Sequence, residues 1–176
     1  MPAPNQQLSA HFTLFEMLAS QSAVRFKYDE QFDPPAEVIE SLRQLCKNIL
    51  EPLRIAINKP IRVSSGYRCL AVNKKIGGSK TSQHMFGEAA DIQVFNMSVE
   101  QLFQFIRNED LPFDQLIQEF DSWIHVSFRK NPRKQVLRAI KQGNGHTKYI
   151  PGKNCLDLQC TGKVIYDFWI CISYVG

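Results

Sequence analysis

No run in this chain approaches the ~20 apolar residues that a membrane-spanning helix needs, which excludes a helical membrane anchor. Residues 1–7 hold neither a charged n-region nor an apolar h-region, so no secretory signal is expected. Cysteine is sparse and irregularly spaced. Five residues, an odd number, do not read as a disulfide framework and suit a reducing cytoplasm. Neither sign of charge dominates: 21 Lys and Arg face 17 Asp and Glu, for a net charge of +4. The basic residues are scattered, so nucleic acid is not an expected partner, although a mild positive charge would favour an anionic surface such as a cell wall. Internal repeats and low-complexity segments are also missing.

What is present is ordinary in amount. A hydrophobic share of 44% and a charged share of 22% over 176 residues are those of one soluble domain with enough chain to bury a core. Thr13 is placed to cap a short helix from Leu14 to about Gln21, with Glu16 at the reciprocal capping position. Asp33, Pro34 and Pro35 read as the start of a longer helix. Its apolar face is Val38, Leu42, Leu45, Ile49 and Leu53, with Cys46 in the core and Pro52 kinking or ending the regular part. Lys59-Pro60 precedes a short strand over residues 61–65. Ser98 caps a helix through Leu102, Phe103 and Ile106, and residues 113–119 and 123–128 form two strands around a turn at 120–122. Residues 131–140 read as a basic helix and 147–150 as a closing strand.

The stretch that stands out is Ser82-Gln83-His84-Met85-Phe86-Gly87-Glu88-Ala89-Ala90-Asp91-Ile92. It carries a histidine and an aspartate seven residues apart, with Gly87 between them to let the backbone turn, and Asp91 opening a strand. A third such group, His125, lies in the alternating run Trp123-Ile124-His125-Val126-Ser127-Phe128. Imidazole nitrogen and carboxylate oxygen are zinc ligands, and an open catalytic site needs three of them. By spacing alone, the same residues also read as a loop histidine, a capping aspartate and a half-buried strand histidine. His146 has no partner at ligand spacing and reads as a surface residue. Cys155 and Cys160 lack the second pair that a structural metal site needs.

Taken together, Ser65-Gly66-Tyr67-Arg68, the Ser82 to Ile92 stretch and Trp123 to Phe128 resemble the zinc D-Ala-D-Ala carboxypeptidase family. The resemblance is to the branch with phage and bacterial murein peptidases, related to the hedgehog signalling domain, and runs from about Phe12 to Tyr149. It implies an α+β fold, a small, mainly antiparallel sheet flanked by helices, with one Zn2+ per chain on His84, Asp91 and His125 and with Arg68 in the substrate cleft. Ser65 and Gln83, inside the matching motifs, would assist through hydrogen bonds to substrate.

The implied chemistry is amide hydrolysis in the peptide stems of peptidoglycan, as a D-Ala-D-Ala carboxypeptidase or an L-Ala-D-Glu type endopeptidase of the phage endolysin kind. An enzyme of this kind without a signal would be made in the cytoplasm and reach the wall through lysis or from a virion. The expected organisation is an extension over residues 1–11, a monomeric peptidase domain over 12–150 and a tail of unknown purpose over 151–176, which holds an apolar stretch at 164–175. The alternative is a zinc-stabilised module that binds without hydrolysing.

Hydrolysis needs a carboxylate to take a proton from water. In many carboxypeptidases of the wider family that acid lies three residues before the last ligand, where this chain has Ser122. The hedgehog-like branch has a glutamate six residues before, as Glu119 is here. In one straight strand Glu119 and His125 would lie ~20 Å apart. In a hairpin with a three-residue loop, Glu119 faces Trp123 and lies ~7–8 Å diagonally from His125 on the same face. Asp121, at the turn tip, is the weaker candidate.

Overall fold

The structure, a computed structural model, describes residues 6–143 and 145–152. The Cys155/Cys160 pair, the apolar stretch at 164–175 and the first five residues lie outside these. Among the described residues, six strands form one sheet with the order β1-β2-β4-β3-β5-β6. They are β1 (Ile61–Ser65), β2 (Ala89–Val94), β3 (Phe113–Glu119), β4 (Trp123–Phe128), β5 (Gln135–Lys141) and β6 (Thr147–Pro151). All neighbours are antiparallel except β3 and β5. With its flanking helices this is the expected α+β fold. No helix among the described residues is long and apolar enough to cross a membrane.

The strands alternate between two environments. Ala90, Ile92 and Val94 of β2, Leu116 of β3 and Ile124 and Val126 of β4 join the core. Against them pack Leu42, Leu45, Ile49 and Leu53 of the long helix and Leu102, Phe103 and Ile106 of α6 (Val99–Asn108). Asp91, His125 and Ile117, paired across β2, β4 and β3, therefore occupy the other face, because successive side chains point to opposite sides of a strand.

The helices begin where side chains can satisfy their free N–H groups. Thr13 and Glu16 form the expected capping box on α1 (Leu14–Leu18), and Ser98 and Gln101 form another on α6. The first helix is shorter than expected, since Ala19 is extended and Ser20 caps a separate α2 (Gln21–Phe26). Asp33 does not cap the next helix. Pro35, itself extended, occupies the cap position of α3 (Ala36–Leu45) and makes no side-chain bond. The interruption expected at Pro52 takes the form of a π turn over Cys46–Leu50, where the Glu51 N–H reaches back to the Cys46 carbonyl before α4 (Glu51–Ile57) resumes. Burial pushes the Cys46 thiol up to about 12, so it is an inert core residue. A short α5 (Leu70–Lys75) follows β1, and the loop after it is pinned by buried Asn73, whose Nδ2 donates to the Ser79 carbonyl at 2.8 Å.

The largest departure from expectation is at residues 131–140, which are not a helix. Gln135–Lys141 is β5, running parallel to β3 and antiparallel to β6. Lys134 is held in the left-handed region at φ 52°, which a helix does not permit. Pairing on both sides supplies β5 with the backbone hydrogen bonds that a helix would have made internally. The connection from β4 crosses the start of β3, where fully buried Asp114 grips it. The Asp114 carboxylate accepts from the Arg133 backbone N–H at 2.9 Å and from the Arg133 guanidinium at 2.5–3.1 Å.

Hydrogen bonds from Arg133 outweigh burial and hold the Asp114 carboxyl at about 2, below its ordinary 3.8. A depressed carboxylate stabilises the fold above its unfolded value and loses that contribution as pH falls through the folded value. The Asp114 clamp should therefore act fully above about pH 4 and fade toward pH 2. Asp114→Asn should destabilise the protein at neutral pH and flatten the loss of stability between pH 4 and 2, measured as urea midpoints. An unchanged acid slope would refute the clamp.

Candidate metal centre

His84 lies on a single 3-10 turn, Gln83–Phe86, that ends at Gly87. Gly87 has φ 69°, and a Cβ there would come within 2.6 Å of the Val38 carbonyl oxygen. The turn therefore fits against α3 only with glycine at this position. His84 is buried, and its Nδ1 lies 2.7 Å from the Gly66 carbonyl oxygen. A carbonyl can only accept, so Nδ1 carries the proton and Nε2 presents its lone pair. Gly66 is itself a close-packed point, since a Cβ there would meet the Met17 carbonyl oxygen at 2.4 Å.

That Nε2 faces the other two candidates. It is 3.2 Å from Oδ1 of Asp91 and 3.1 Å from Nδ1 of His125. His125 Nδ1 is in turn 3.2 Å from the same Asp91 oxygen. Asp91 is the third residue of β2 rather than its first, and stands directly opposite His125 on β4. All three residues are buried, and their ligand atoms lie within 4.8 Å of one another. Burial would raise the Asp91 pKa, but protonation of His84 and His125 would set charge and hydrogen bonds against the carboxylate, and this outweighs burial and holds it far below the usual range.

Arg68 meets the same carboxylate from the other side. One terminal nitrogen ion-pairs with Asp91 Oδ2, and Nε donates to Ser65 Oγ at 2.8 Å. The two carboxylate oxygens are thus divided, Oδ2 to Arg68 and Oδ1 to the histidines. The loop carrying Arg68 is fixed by a residue that the sequence did not single out. Fully buried Gln31 donates to the carbonyls of Leu18 and Tyr67 at 2.9 and 2.8 Å and accepts from the Cys69 N–H at 2.9 Å. It therefore grips the backbone on both sides of Arg68. A glutamine in a polar stretch gives no periodic signal, so nothing in the sequence marked it.

Glu119 ends β3 opposite Trp123, and Ile117 stands opposite His125. Glu119 is therefore the diagonal neighbour of His125 on the metal-centre face. Burial raises its pKa, as does the nearby charge of Asp91, against the opposing effects of His125 and Arg68. Asp121 sits exposed at the turn and accepts from Gln118 Nε2 at 2.8 Å. Gln83 is directed elsewhere: its Nε2 donates to Asp114 at 3.0 Å. His146 is exposed.

Three converging N and O donors on one sheet face, with a carboxylate and a guanidinium beside them, define a candidate mononuclear metal centre. The chain belongs to the peptidase M15 family, which it matches over residues 10–127. A stretch of 60 residues is 38% identical to the zinc D-Ala-D-Ala carboxypeptidase of Streptomyces albus G. That stretch is 34% of this chain and spans 24% of the relative.

Gly87→Ala should lower stability by about 2–4 kcal/mol, combining left-handed strain with overpacking against Val38. Urea unfolding measures it, and a loss under about 1 kcal/mol would show that the turn can shift without cost.

Proposed function

We propose that this chain is a zinc peptidase that hydrolyses amide bonds in the peptide stems of bacterial peptidoglycan. The observation that carries the reading is the convergence of His84 Nε2, His125 Nδ1 and Asp91 Oδ1 within 4.8 Å. With both imidazoles neutral, these lone pairs repel one another, and a cation among them turns repulsion into attraction. The number and type of donors suit zinc with one position open. The donor set therefore fits the metal named for the Streptomyces relative.

His84, Asp91 and His125 would hold the ion, which supplies Lewis acidity to polarise a carbonyl and acidify water. Glu119 then acts as general base, taking the proton from the attacking water and returning it to the leaving amine. Its raised pKa helps the first transfer, since a weaker acid has a stronger conjugate base. Arg68, braced by Ser65, aims the Asp91 carboxylate. Two of its five N–H donors are used in this way, and the rest of the planar fork would orient a substrate carbonyl or carboxylate. The scissile bond is a terminal D-Ala-D-Ala amide or an internal L-Ala-D-Glu amide, and mass spectrometry of digested murein fragments separates the two.

Glu119→Gln preserves shape and the three ligands, so fold and zinc content should hold while hydrolysis falls ~10²–10⁴-fold. The assay is release of new amino groups from purified peptidoglycan, with zinc measured on the same samples. Unchanged hydrolysis would move the base elsewhere, with Asp121 next in line.

A further inference from the structure

The face of the sheet that carries the metal centre continues past Glu119. Glu119 on β3 is paired with Ala139 on β5, and Ala139 with Tyr149 on β6, so these three side chains form one row. The adjacent row is His125, Ile117, Leu137 and Pro151. The opposite face of β5 is already occupied. Val136 packs on the core, while Arg138 pairs with Glu100 and covers the Phe103 ring of α6.

Two inter-strand steps put the backbones of Glu119 and Tyr149 about 10 Å apart, and the residue paired between them is the small, buried Ala139. A tyrosine side chain can lean over that gap. The phenol is held above its usual range by burial first, then by the charges of Glu119 and Asp91, which agrees with its reaching toward the centre. Its side chain is nevertheless exposed, the residue retaining 53% of its surface.

We infer that Leu137 and Tyr149, set on β5 and β6 about the buried Ala139, form a substrate shelf for the peptide stem on one side of the scissile bond. Tyr149 packs its ring on the stem's aliphatic side chains and donates its hydroxyl to a stem carbonyl or carboxylate. The inference rests on the peptidase reading above. The occupant follows from continuity: a chain with its scissile amide at Glu119 extends in two directions, and the row through Ala139 leads one of them onto β5 and β6. An apolar ring with a polar tip matches a peptide that alternates methyl groups with carbonyls and carboxylates.

The test uses the zinc-loaded Glu119→Gln protein, which should bind without cleaving, and the stem pentapeptide L-Ala-D-Glu-L-Lys-D-Ala-D-Ala, by calorimetry. Adding Tyr149→Ala should weaken binding about tenfold and Tyr149→Phe about threefold, at unchanged zinc content. Equal affinity in all three proteins, or no binding to the parent, would overturn the shelf. A truncation after Gly152 that tightens binding, while Tyr149→Ala does nothing, would assign the surface to the chain's own C-terminal segment and overturn it too. Hydrolysis by the protein with Glu119 intact is measured alongside. Binding that depends on Tyr149 without any hydrolysis would refute the peptidase reading and leave the shelf standing.

Discussion

The site depends on one cross-strand pair, Asp91 on β2 opposite His125 on β4. In an antiparallel sheet a slip of one residue would send one of these side chains to the opposite face. The register is held by the apolar partners of the same strands. Ala90, Ile92, Ile124 and Val126 are buried beneath the helices, and a slip would expose them. Core packing and the metal centre are therefore two faces of one pairing, and neither can move without the other.

The remaining groups are delivered to that pair by short, stiff connections. Gly87 folds the turn that brings His84 over β2, and the Gly66 carbonyl sets its tautomer. Arg68 takes the Asp91 oxygen that faces away from the histidines, while Gln31 holds the backbone on both sides of Arg68. Burying an aspartate is costly unless its oxygens are satisfied. Here Oδ2 is satisfied by the guanidinium, and Oδ1 is shared with two imidazoles. This division leaves the inward oxygen oriented for a cation.

Much of this could be read from the chain. The three-residue turn between residues 119 and 123 fixed the register of β3 against β4, and so the diagonal placement of Glu119 beside His125. Thr13 with Glu16, and Ser98 with its helix, announced their caps because capping is a local interaction. The illegible parts depend on distant partners. Residues 131–140 read as a basic helix, yet β3 and β6 recruit residues 135–141 as a strand. Without that strand there is no row from Glu119 to Tyr149, because Ala139 on β5 is its middle member. Gln31 was silent for a similar reason, since its partners are 13, 36 and 38 residues away. Asp33 and the two prolines show the converse, a local signal displaced when Pro35 stayed extended.

The most direct measurement is digestion of purified peptidoglycan by the zinc-loaded chain, followed as newly released amino groups before and after chelation. The proposed function predicts release that stops when the metal is removed and returns when zinc is restored. Full zinc occupancy with no release from murein of any chemotype would contradict it.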